Sequence, residues 1–228
     1  MQQQRSENVT IQLGQIAPDF EQDSTEGRIL FHDWLGDSWG VLFSHPKDFT
    51  PVCTTELAEV ARLQPEWARR HVKVLGLSID PVEAHRIWGA DIESTQGQKV
   101  NFPMLADNDQ KVAQLYGMIH PQSDPTVTVR CVFVIDPAKK VRLILTYPPS
   151  TGRNFAEILR AIDSLQLTDR RSVATPVNWE AGNPVIISPK LSDEEASRQF
   201  PQGYKTLKPY LRIVDLQESP ADGRPAAF

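Results

Sequence analysis

At 228 residues, the chain has material for one large domain or for a domain with an appendage. Its 40% hydrophobic and 23% charged residues are ordinary for a globular protein, and a net charge of -5 with no basic stripe argues against a nucleic-acid binder. The polar start, Met1 to Asn8, lacks the apolar core of a signal peptide, and no apolar run approaches the roughly 20 residues of a membrane span. A soluble, cytoplasmic protein is expected.

The first element legible along the chain is an apolar run, Trp39 to Ser44, expected as a buried strand. A loop containing Pro46 follows. Thr54 to Arg70 has helical spacing, with Leu57, Val60, Ala61 and Leu63 on one face, and Pro65 is placed to kink or split it. Val72 to Ile79 alternates as a second strand. A helix is expected over Val82 to Ile92, a short strand over Phe102 to Leu105, and a helix over Gln110 to Tyr116 that stops at Gly117. Thr126 to Ile135 and Val141 to Tyr147 read as strands of a hairpin. Asn154 to Leu167 reads as an amphipathic helix with Phe155, Ile158, Leu159, Ile162 and Leu165 on its apolar face.

Helices alternating with strands imply an α/β fold, and the hairpin makes the sheet mixed rather than purely parallel. The order fits a thioredoxin-like mixed sheet flanked by helices over residues 1–169. The chain then changes character: residues 170–228 hold 7 of the 18 prolines. One short helix is signalled there by the capping-box pattern of Ser192 to Glu195. The segment is expected to be an arm, packed on the main domain or on a partner subunit, that lacks a sizeable core of its own.

Two cysteines, Cys53 and Cys131, are too few for a disulfide scaffold, and their spacing does not suit zinc. A lone cysteine is ordinarily inert and buried. Cys53 has an unusual address, however. Thr50 suits a helix N-cap and Pro51 the first helical position, so Cys53 falls at the third. There, unsatisfied backbone N–H groups and the positive end of the helix dipole favour a thiolate. Ionisation by itself achieves little. At pH 7 a thiol of pKa ~8.5 is about 3% ionised and one of pKa ~6 about 90%. Nucleophilicity falls with pKa at a Brønsted slope of ~0.4–0.5, which leaves a net gain of only a few-fold. A reactive site must also orient its partner and stabilise the departing charge, so donors beside the sulfur are required.

The stretch Pro46-x-x-x-Thr50-x-x-Cys53-Thr54-Thr55-Glu56 resembles the active-site signature of the peroxiredoxins, specifically the one-cysteine, peroxiredoxin-6-like subfamily. Further matches run in the same order from about Ile16 to Arg212, among them Phe43-Ser44-His45-Pro46, Thr151-Gly152-Arg153-Asn154-Phe155 and Ala174-Thr175-Pro176-Val177. The resemblance implies an antioxidant peroxidase that reduces hydrogen peroxide or organic hydroperoxides and needs no cofactor or metal. It makes Cys53 the nucleophile, oxidised to a sulfenic acid. Thr50 would bond the sulfur and the peroxide, Pro46 would shield the pocket, and Arg130 would orient the peroxide. His45 and Arg153 would stand nearby, and Glu56 would fix the arginines. Lys47 and Asp48 are read as a solvated loop. Two-cysteine relatives place a resolving cysteine where Thr175 stands, so an external thiol or other small reductant is implied. Cys131 follows Arg130 in a strand and should face the other way as a packing residue. The resemblance also implies a homodimer.

Two other activities compete with this reading. Gly36-Asp37-Ser38-Trp39-Gly40 fits the lipase pattern, and relatives link it to phospholipase A2 activity, with His32 matching the partner histidine. Ala138 stands at the place of the aspartate, with Asp136 two residues earlier, and Ser38 precedes its strand instead of following one. A holdase chaperone is the non-enzymatic alternative; no sequence feature encodes it.

Overall fold

The computed structural model describes residues 11–216. The polar N-terminal stretch read above lies outside it. The chain divides into two compact units, Met1–Phe155 and Ala156–Phe228.

The first unit is built on a seven-stranded sheet in the order β2-β1-β5-β4-β3-β6-β7. Strands β3 (Trp39–Ser44), β4 (Val72–Ser78) and β5 (Met104–Ala106) run parallel, joined by the crossover helices α2 (Pro51–Arg62), α3 (Gln64–Arg69) and α4 (Val82–Gln96). β6 (Arg130–Ile135) and β7 (Val141–Tyr147) form the expected hairpin, with β6 antiparallel to β3, so the sheet is mixed. The N-terminal hairpin β1 (Glu21–Ser24) and β2 (Gly27–Leu30), followed by α1 (Phe31–Leu35), carries no strong alternation and was not legible in advance. It adds to the β5 edge through one pairing, Ser24 with Leu105.

Local chemistry sets the boundaries. The long helix expected over Thr54 to Arg70 is divided at Leu63, and Pro65 lies in the first turn of α3. α4 runs past Ile92 to Gln96 and ends on Gly97, whose left-handed φ of 66° carries no Cβ penalty in a glycine. The short α5 (Lys111–Leu115) stops before Gly117 as expected. β6 begins only at Arg130, later than its β-branched prelude suggested. One face of the sheet carries an apolar core that includes Leu42, Leu75, Leu77, Leu105, Cys131, Phe133 and Ile135.

Helix α6 (Phe155–Arg170) begins at the boundary; Phe155, Ile158, Leu159 and Ile162 are buried as its periodicity demands, whereas Leu165 is only half-buried. The second unit departs from expectation. It is not a coreless arm: β8 (Val173–Ala174), β9 (Val185–Ile187), β10 (Lys205–Lys208) and β11 (Leu211–Val214) form a four-stranded antiparallel sheet in the order β10-β11-β9-β8. Its own core gathers Leu167, Val173, Trp179, Val185, Ile187, Ala196, Phe200 and Val214. The strands are two to four residues long and bounded by prolines, too short for alternation to show. The capping box is present: Ser192 Oγ accepts from Glu195 N, and the Glu195 carboxylate accepts from Ser192 N at the head of α7 (Asp193–Gln199).

Candidate active site

β3 ends at Ser44, and the chain turns through His45–Thr50 into α2. Thr50 has the extended backbone of an N-cap (φ -116°, ψ 146°), and Pro51 opens the helix, so Cys53 is its third residue. One detail differs from expectation. The Thr50 hydroxyl does not cap the helix; it donates to Lys47 O at 2.9 Å, which fixes the loop. Its lone pairs remain able to accept. Cys53 is fully buried, and Pro46 is buried as well.

Arg130 reaches Cys53 from β6. Its Nη1 lies 3.2 Å from Cys53 Sγ and 2.7 Å from Glu56 Oε2, while Nε and Nη2 donate to Pro149 O at 3.1 and 2.8 Å. Arg153 completes the cluster. Its backbone N and Nε donate to Glu56 Oε1 at 2.8 and 3.0 Å, Nη2 donates to Glu56 Oε2 at 2.7 Å, and Nη1 donates to Ser44 O and Cys131 O. The guanidinium also lies over the rings of Phe43 and Phe155, at 4.9 and 5.6 Å. Burial pushes the Glu56 carboxyl up, but Arg153 and Arg130 outweigh it and hold the group below the usual carboxylate range. One buried carboxylate thus orients two arginines, and one of these presents a fixed donor to the sulfur.

Asp48 corrects the reading of a solvated loop. Lys47 is exposed, but Asp48 is buried. Its carboxylate lies 2.8 Å from His45 Nε2 and 2.6 Å from His85 Nδ1, and its backbone N donates to Asp80 Oδ2. Burial raises the Asp48 pKa, but the two histidines overcome it and bring it down to about 2. His45 therefore faces Asp48, and its ring lies tilted against Trp88 with centroids 5.2 Å apart. Burial lowers its pKa against the pull of Asp48. His85 was not singled out from sequence. A histidine on a helix carries no mark of a carboxylate 37 residues away. Among the described residues, His45, Asp48 and His85 are the one group whose potential ligand atoms, within 4.8 Å of one another, could hold a metal. Hydrogen bonds to Asp48 join the three, and the buried His45 Nδ1 has no hydrogen-bond partner.

Cys131 points to the opposite face of β6. It is buried in the core, its sulfur lies 3.7 Å from Thr146 Oγ1, and burial pushes its thiol up. Both cysteines are free thiols. The lipase-like residues do not converge. His32 Nε2 lies 2.8 Å from Ala17 O, and Asp136 accepts from Lys140 N and Arg142 Nη1. No hydrogen bond among the described residues joins Ser38 to His32 or Asp136.

Residues 13–144 match the AhpC/TSA family, and residues 164–203 match the C-terminal domain of 1-Cys peroxiredoxin. A 1-Cys peroxiredoxin of Dictyostelium discoideum is 54% identical over 204 residues, covering 90% of this chain and 85% of its own. The chain belongs to the one-cysteine peroxiredoxin family. A crystallised variant of peroxiredoxin 6 from Arenicola marina is similar in structure, with a TM-score of 0.86 and 46% identity over 92% of this chain and all of its own. A yeast mitochondrial 1-Cys peroxiredoxin gives a TM-score of 0.85 and 48% identity over 90% of this chain and all of its own. Membership carries the peroxiredoxin variant of the thioredoxin-like fold and a thiol peroxidase with antioxidant function, acting on peroxides with thiol reductants. No helix among the described residues is long and apolar enough to cross a membrane.

Proposed function

We propose that Cys53 is the peroxide-reducing nucleophile of a one-cysteine cycle. The observation that carries this reading is the placement of its sulfur at the third residue of α2, 3.2 Å from Arg130 Nη1. The Cys53 thiolate attacks the terminal peroxide oxygen. The S–O bond forms as the O–O bond breaks, and the departing oxygen takes a proton to leave as water or an alcohol. Arg130 holds the peroxide and offsets the developing negative charge, Thr50 Oγ1 accepts from the peroxide O–H, and Pro46 keeps bulk water out. Glu56 and Arg153 hold Arg130 in place, and His45 braces the loop through Asp48. Cys131 faces away, so the sulfenic acid is reduced by an external thiol. In the yeast mitochondrial relative, thiol resolving proceeds via glutathione/thioredoxin systems, which supports a thiol as the reductant here.

A homodimer in a reducing, cytoplasmic compartment is part of this reading. β7 ends the seven-stranded sheet, and an edge strand offers its backbone groups to a second chain. Two free thiols fit a reducing environment. Stopped-flow peroxide reduction tests the proposal. Wild type is expected to turn over with an added thiol and Cys53→Ser to be inactive, and a serine variant with full activity would end it.

A further inference from the structure

The end of β3 contains a fully buried hydroxyl within an otherwise apolar strand, that of Ser44. The backbone ladder between β3 and β6 runs from Gly40 opposite Ile135 to Phe43 opposite Val132, and stops there. Beyond it, side-chain hydroxyls replace the ladder. Ser44 Oγ donates to Val129 O at 2.6 Å and accepts from Cys131 N at 3.1 Å. One residue further, Thr128 Oγ1 donates to His45 O at 2.8 Å.

The residue between Val129 and Cys131 is Arg130. Cys131 N also donates to Val129 O, at 3.1 Å, so the backbone makes a tight three-residue turn centred on Arg130. A single hydroxyl therefore grips the chain on both sides of the arginine that reaches Cys53. The same serine's carbonyl accepts from Arg153 Nη1 at 2.8 Å, so both guanidiniums are referenced to this one residue. A buried hydroxyl needs partners wherever it lies, but here both partners flank the residue that must be aimed.

We infer that Ser44 is a positioning residue for peroxide reduction: its hydroxyl holds the turn at Arg130 and so sets where the guanidinium meets sulfur and peroxide. The inference rests on the catalytic reading of Arg130 given above. A shift well short of about 1 Å is enough for a measurable loss, since about 1 Å at a reacting site can cost on the order of 100-fold in rate.

A double-mutant cycle on the full-length protein tests it, with the second-order rate constant for hydrogen peroxide as readout and thermal melting measured in parallel. Ser44→Ala is expected to lower the rate constant about 10-fold in the wild-type background and less than about 2-fold in an Arg130→Gln background. The serine then acts through the arginine. A serine with a merely structural role would lower the melting temperature in both backgrounds and change the rate by the same factor in both; that result, or an unchanged rate in Ser44→Ala, would overturn the inference. Should Ser44→Ala not fold, the near-isosteric Thr128→Val carries the same cycle, with the same coupling expected and the same additivity fatal. Full activity in Arg130→Gln would instead defeat the catalytic reading itself, so the two failures are distinguishable.

Discussion

Adjacent residues of one strand face two different chemical worlds. Arg130 points to the Cys53 sulfur and to the Glu56 carboxylate that it shares with Arg153, whereas Cys131 points into an apolar core with the Thr146 hydroxyl 3.7 Å from its sulfur. Both thiols are buried, so burial does not distinguish them. The distinction lies in the donors. Cys53 has a helix N-terminus and a guanidinium, and Cys131 has only neutral hydroxyls, of Thr146 and Ser44, as hydrogen-bond partners. Reactivity is supplied by what surrounds a sulfur, and the pleat of a strand is enough to separate the two environments.

The largest expected break in this comparison is at sulfur itself. Cys53→Ser should lower peroxide reduction by at least about 1,000-fold, while Cys131→Ser stays within about 2-fold of wild type, as measured by stopped-flow with hydrogen peroxide. Loss in both variants would mean that the two sides of the strand cooperate. Next in size is the carboxylate between the arginines. Glu56→Gln leaves two buried guanidiniums without their counter-charge and should cost about 3 kcal/mol of stability in urea unfolding, with a slower peroxide reaction besides. A variant as stable as wild type would show that the cluster is not held by its charges.

Acid should act on the Cys53 side first. Burial keeps the His45 pKa low, so as pH falls below the ~6.5 of a free histidine the unfolded chain takes up a proton that the folded chain refuses, and stability declines. Asp48 and Glu56 have depressed carboxyl groups, so their contribution is present above ~pH 4 and is lost as pH falls through their folded values, about 2 for Asp48. For Asp48 the loss amounts to about 2 kcal/mol. Urea midpoints should fall steadily from about pH 6.5 to pH 3, and Asp48→Asn should flatten the lower part of that curve; a midpoint independent of pH would contradict the assignment. The smallest effect belongs to the opposite face. Cys131→Ala removes one buried sulfur from the core and should cost about 1 kcal/mol with no change in rate.

The sequence made the Cys53 side legible to an unusual depth because its signals are local. A proline at the first position of a helix, a threonine before it and a cysteine two residues after need no knowledge of the rest of the chain. The parallel strands and α6 were legible for the same reason: their apolar residues repeat at the element's own period. What escaped notice depends on residues far apart in sequence. Asp48 looks like a loop residue until His85 arrives from α4, and Ser44 looks like the polar end of an apolar strand until β6 is laid beside it. The small sheet of the second unit escaped for another reason, since strands of two to four residues cannot display alternation.

The claim that one of two buried thiols is armed and its counterpart is not has a direct test. The reduced protein is treated with one equivalent of hydrogen peroxide in the presence of a carbon nucleophile that traps sulfenic acids, then digested and mapped by mass spectrometry. The account predicts the adduct on Cys53 alone and, with excess peroxide and no trap, sulfinic acid at the same residue. An adduct on Cys131, or a Cys53–Cys131 disulfide, would contradict it.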